Sequence, residues 1–120
     1  MAAIRKIFQA GVETIFSVFN EAVKIGVLTQ SFDDGFGTSS SLTDSVRCIF
    51  ETFTEKDITL LSFAEMIQPK DVKGLMPSVD LVNCEMTTKG RITFAEGTYT
   101  VEGYDLDPLD VIYTLLLRKV

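Results

Sequence analysis

The chain has 120 residues, with 11 Lys plus Arg against 17 Asp plus Glu, no His, and a formal net charge of −6. At that size roughly two thirds of the unfolded surface is buried on folding, so one domain can build its core without disulfide or metal staples. The 46% hydrophobic and 23% charged composition excludes a disordered tail and a membrane-embedded chain, and the acidic balance leaves no footprint for sequence-independent phosphate binding.

The first element is an amphipathic helix over residues 3–24. Ile4, Ile7, Phe8, Gly11, Val12, Ile15, Phe16, Val18, Phe19, Ala22 and Val23 share one half of the wheel, and Gln9, Glu13, Ser17, Asn20, Glu21 and Lys24 share the other. The apolar arc is about 180° wide, broader than the roughly 100° that one surface needs, so a second surface, such as a neighbouring subunit, is expected on it. Gly11 lies inside the arc, where it lets another backbone approach at about 1 kcal/mol of helix propensity. Arg5 and Lys6 precede the apolar stretch as in a signal peptide, but Gln9 and Glu13 interrupt it and no small-residue cleavage site follows, so the segment is expected to stay on the mature chain.

From Lys24 the hydrophobic period becomes two, with Gly, Pro, Asp and Ser punctuation about every 8 to 12 residues, which predicts a small antiparallel β-barrel of about six strands over 25–118, forming with the helix a single domain, 1–120. The strands are expected near 25–30, 44–53, 58–67, 90–95, 98–104 and 111–118. Between the first two, residues 31–41 are rich in Gly and Ser with two isolated phenylalanines, and a mobile loop is expected there. Phe94-Ala95-Glu96-Gly97-Thr98-Tyr99 fits a tight hairpin with Gly97 at positive φ. The last strand, Val111 to Arg118, is apolar on nearly both faces and needs cover on both, the simplest being the barrel interior and the N-terminal helix. Phe8→Ala or Phe19→Ala is expected to cost about 3 to 5 kcal/mol if those rings are buried there.

No residue pattern points to catalysis, a metal or a cofactor. Without His the commonest base and metal ligand are missing, and a nucleophile has only Lys, Asp or Glu to activate it. Asp33-Asp34-Gly35 lacks the alternating ligands of a calcium loop, and Gly35-Phe36-Gly37 lacks the rest of a phosphate-binding turn. Asp105, Asp107 and Asp110 surround Pro108 as solvated turn carboxylates entering a strand. Cys48 and Cys84 are expected as reduced thiols, with Cys48 in the core beside Val46 and Phe50.

The order of segments from about Ile58 to Arg118 carries a resemblance. An apolar strand is followed by Pro69-Lys70-Asp71-Val72-Lys73-Gly74-Leu75-Met76-Pro77, then by Lys89-Gly90-Arg91-Ile92-Thr93-Phe94-Ala95-Glu96-Gly97-Thr98-Tyr99-Thr100-Val101. Leu106-Asp107-Pro108 and the strand Val111 to Arg118 close the chain. This resembles the head-tail joining proteins (head-closure or head-completion, stopper-like) of long-tailed bacteriophages, in which an Asp-Val loop, a Gly-Asp hairpin reaching Tyr-x-Val and a final strand ending in Arg recur on a small β-barrel. Lys89-Gly90-Arg91 stands where that family has Gly-Asp. The resemblance implies a non-enzymatic ring, a hexamer, in the virion neck, made in the host bacterial cytoplasm. It would sit between the portal or adaptor ring and the tail terminator or tail-completion protein, closing the DNA-filled head, docking the tail and passing genomic DNA through its lumen without specific binding. An acidic chain suits a channel that must not hold phosphates, and suits ordinary solubility equally. Phe32, Asp33, Asp34, Gly35, Phe36 and Gly37 are the expected gate or interface loop, and Lys70, Asp71 and Lys73 a second interface. A tail-completion or tail-terminator protein and a soluble ligand-binding barrel remain the alternatives.

Overall fold

A computed structural model describes residues 2–33, 35, 39–88 and 90–120. Helix α1 (Ala2–Val18) leads into six strands, β1 (Val23–Asp33), β2 (Ser39–Glu51), β3 (Val72–Pro77), β4 (Arg91–Phe94), β5 (Gly97–Leu106) and β6 (Ile112–Lys119), with a short helix α2 (Glu55–Leu60) between β2 and β3. The strands close an antiparallel barrel in the order β1-β2-β3-β6-β5-β4. Among the described residues no helix is long and apolar enough to cross a membrane.

The barrel interior is packed with side chains: Leu28, Val46, Cys48, Met76, Ile92, Val101, Leu115 and Leu117 are almost completely buried. Phe50, Phe94 and Tyr99 fill one end edge to face, with centroids 5.0 to 5.9 Å apart. Cys48 is a core residue as expected, and both cysteines are free. Burial, and secondarily the nearby Asp80 charge, pushes the Cys48 thiol up to about 12. The Phe94–Gly97 pair closes the β4–β5 hairpin, and Gly97 has φ +151°, the positive value that the sequence predicts.

Four sequence expectations are corrected. The first helix stops at Val18, because Phe19 to Ala22 form a turn, with Ala22 N–H bonded to Phe19 O at 2.9 Å and Val23 N–H to Asn20 O at 3.3 Å. Residues 58–67 are not a strand. Thr54 caps α2, accepting from the Asp57 N–H while the Asp57 carboxylate accepts from the Thr54 N–H, and a 3-10 turn (Ala64–Met66) follows. The sixth strand is β3, inside the segment expected to be a loop. Residues 31–33 and 39–41 are strand rather than loop, with Ser31 paired to Ser41 and Asp33 to Ser39.

The cover on β6 is also different. Leu115 and Leu117 face the interior, while Leu116, fully buried as well, faces outward beside Lys73 of β3 and Gly103 of β5. A β-bulge at Glu102 shifts the phase of β5, so that Gly103 joins this outer face. A Cβ on Gly103 would lie 2.7 Å from Phe63 Cβ. The α2-to-Met66 segment therefore covers the outer face of β6, not α1. Lys73 Nζ binds Asp57 at 2.8 Å and Glu51 at 3.1 Å, and Arg118 binds Asp71, Glu102 and the Met66 carbonyl.

Candidate assembly surface

Three surface features are left once the core is closed. The first is α1, which meets the barrel along a narrow stripe: Phe16 is buried, Gln9 and Val12 are half-buried, and Arg5 donates to the Asp110 carbonyl at 3.5 Å. Arg47 of β2 holds the helix. Its guanidinium lies 5.5 Å from the Phe16 ring centroid, binds Glu13 at 2.7 Å and is gripped by Asp80, which also accepts the Arg47 backbone N–H. Glu13 and then Asp80 stabilise the charged guanidinium and raise its pKa, and the same bonds hold the Glu13 carboxyl below its usual range. The rest of the apolar arc is turned to solvent: Ile4, Ile7, Phe8, Ile15, Val18 and Phe19 are 47 to 70% exposed. Phe8 and Phe19 are thus not in the helix–barrel contact, since α1 docks by the edge of its arc.

The second feature is the β1–β2 arm. β1 pairs with β4 only at Val27 to Thr29 and β2 with β3 only at Ile49 to Glu51, whereas β1 and β2 stay paired out to Asp33 and Ser39. At its root, Gln30 and Asp44 are buried polar side chains. Asp44 accepts the backbone N–H groups of Val82, Asn83 and Cys84 at 3.0, 2.9 and 2.7 Å. Gln30 accepts the Glu85 N–H at 3.1 Å and donates to the Glu85 carbonyl. Burial alone raises the Asp44 carboxyl, but the three N–H bonds outweigh it and hold it below its usual value. Segment 82–87 is thereby drawn into the barrel end, where Cys84 and Met86 join the core.

The third feature is a cleft of about 610 Å³ near Arg5, lined also by Ser78, Leu81, Glu85, Tyr104 and Tyr113. The two tyrosine rings stand edge to face at 6.1 Å. Burial, followed by Tyr104 and the carboxylates of Asp110 and Glu85, pushes the Tyr113 hydroxyl up. Among the described residues no His, Cys, Asp and Glu side chains gather as a metal site.

Of the expected interface residues, Phe32 and Asp33 belong to β1, opposite Ser40 and Ser39, and Gly35 has φ +80°. Asp34, Phe36 and Gly37 lie outside the described residues. Lys70 is exposed. Asp71 is committed to Arg118 at 2.9 Å, with its side chain 2% exposed, and Lys73 to Asp57 and Glu51. Asp107 does cap its turn, accepting from the N–H groups of Leu109, Val111 and Ile112, while Asp105 accepts the exposed Ser62 N–H. Sequence reasoning missed Arg47, Asp44 and Gln30. Polar residues at inward-pointing or edge positions of apolar strands were the available signal.

No family model matches the chain, and no curated protein matches it in sequence.

Proposed function

We propose that the chain is a non-enzymatic structural subunit of a long-tailed bacteriophage neck, forming a ring between the portal or adaptor and the tail that closes the DNA-filled head and docks the tail. The observation that carries this reading is the orientation of α1. A barrel with a complete interior turns a broad apolar helix face to solvent, and large exposed apolar patches on a folded domain belong to interfaces. The segment order from Pro69 to Arg118 supplies the phage assignment, although the apolar stretch that precedes it is helical. A ligand held inside the barrel has little to recommend it, because side chains occupy that space.

The test is removal of the chain from a phage that encodes it. Heads that package DNA, leak it and accumulate beside finished tails are expected, because packaging and tail assembly run on other proteins. Defective tails beside DNA-retaining heads would move the protein to the tail side of the joint. Fully infective particles would end the virion reading.

A further inference from the structure

Ile4, Phe8, Gly11, Ile15 and Val18 recur along α1 at spacings of 4, 3, 4 and 3, the alternation by which one helix presents a seam to another. This seam lies roughly a third of a turn round the helix from the Phe16 stripe, and its four large side chains are exposed. At its centre is a glycine that nothing among the described residues requires: a Cβ built on Gly11 meets none of their atoms within 4 Å. Glycine costs a helix about 1 kcal/mol there, and what it offers in return is close approach of a second backbone.

We propose that α1 pairs with α1 of a second copy of this chain, antiparallel, about a two-fold axis through Gly11. The seam is nearly symmetric about that residue, with Ile4 and Val18 equidistant from it and Phe8 and Ile15 within one position of being so. A two-fold axis at Gly11 sets Ile4 against the partner's Val18 and Phe8 against the partner's Ile15, so that large apolar groups meet at both ends and glycine meets glycine where the helices touch. Charge agrees with a self-partner. Neither the seam nor its solvent-side flank, Ile7 and Thr14, carries a charged residue. Arg5 and Glu13 are turned to the barrel, and Lys6 lies on the far side of the helix wheel, so pairing two copies opposes no like charges. The inference uses the same exposed face of α1 as the neck reading and describes the free subunit.

At such a crossing the two Gly11 Cα atoms come within about 5 Å, the span of a disulfide. Sedimentation of the full chain at tens of micromolar is expected to give twice the 13.3 kDa of one chain. Gly11→Cys should form a chain-to-chain disulfide under mild oxidation about tenfold faster than Ser17→Cys, which is off the seam. Cys48 and Cys84 are buried and do not compete. Ile15→Lys should give monomers with unchanged circular dichroism. If that variant misfolds, Gly11→Cys still decides, because its side chain meets nothing in the subunit. A monomeric wild-type chain, or equal cross-linking at positions 11 and 17, overturns the pairing. A ring-sized mass with Gly11→Cys unlinked also overturns it while leaving the neck reading in place.

Discussion

The Asp44 carboxylate accepts the backbone N–H of Cys84 at 2.7 Å, joining the second strand to a segment 40 positions further along the chain. Because its neighbours Val82 and Asn83 donate to the same carboxylate, one side chain satisfies three backbone donors that strand pairing leaves over. Asp44→Ala should therefore destabilise the fold by about 1 to 3 kcal/mol, the cost of buried donors left unpaired, as read by chemical denaturation. An unchanged midpoint would contradict the buried bonding.

Asp44 also sets a pH dependence. Its folded-state pKa is lowered, as are those of Asp57, held by Lys73 first and the Thr54 N–H next, and of Asp71. Groups with depressed folded-state values contribute stability above their unfolded pKa and lose it as pH falls through the folded one. Stability should be flat from neutrality down to the ordinary aspartate range and fall steeply below it. Asp44→Asn should make the acid limb shallower.

At Gly103 and Gly11 alanine should act in opposite directions. Gly103→Ala forces a Cβ to within 2.7 Å of Phe63 Cβ, a contact with no flexible end to move, and should cost about 1 to 3 kcal/mol. Gly11→Ala meets nothing and should raise the stability of the isolated subunit by up to about 1 kcal/mol through helix propensity. Thermal melts of both variants check the pair.

Phe16 and Phe8 separate docking of α1 from its exposed face. Phe16 is 4% exposed, and Phe16→Ala should free the helix from the barrel, raising amide exchange across α1 while β1 to β6 keep their protection. Phe8→Ala, on the solvent side, should leave the monomer's stability within about 0.5 kcal/mol.

Arg118→Ala should cost about 1 to 3 kcal/mol, because it removes the charged partner of the Asp71 carboxylate and leaves it the Gln68 N–H. Burial raises that carboxyl and only the Arg118 and Gln68 N–H bonds bring it below the usual range, so the variant should take up a proton at higher pH than the parent. Its stability deficit should shrink as pH falls, which acid titration of the two proteins measures.

The alternation of Ile92/Phe94 with Tyr99/Val101 around Gly97 made the β4–β5 hairpin legible, since half-buried strands of period two leave little other choice. Residues 58–67 were not legible by the same rule. Ile58, Leu60, Leu61 and Phe63 form a short apolar run that fits a strand or a helix, and the deciding signal was polar, the Thr54-x-x-Asp57 cap. β3 escaped because Lys73 interrupts its pattern. It is an outward lysine made tolerable by Asp57, whose proximity depends on the very helix that was missed. The apolar arc of α1 was plain, but hydrophobicity states what must be covered and not by what. The Phe16–Arg47 contact that orients the helix is a tertiary fact.

The root of the β1–β2 arm is a mechanical junction. Beyond Thr29 the arm is a two-stranded lever anchored at one end, and the grips at its fulcrum, Gln30 and Asp44, are the same side chains that hold segment 82–87. A load on the arm passes to that segment through these two side chains and to β4 through Thr29. Cys84 lies inside the segment, with its thiol pKa raised by burial and the adjacent Asp44, so loosening the fulcrum is expected to speed its reaction with a thiol reagent.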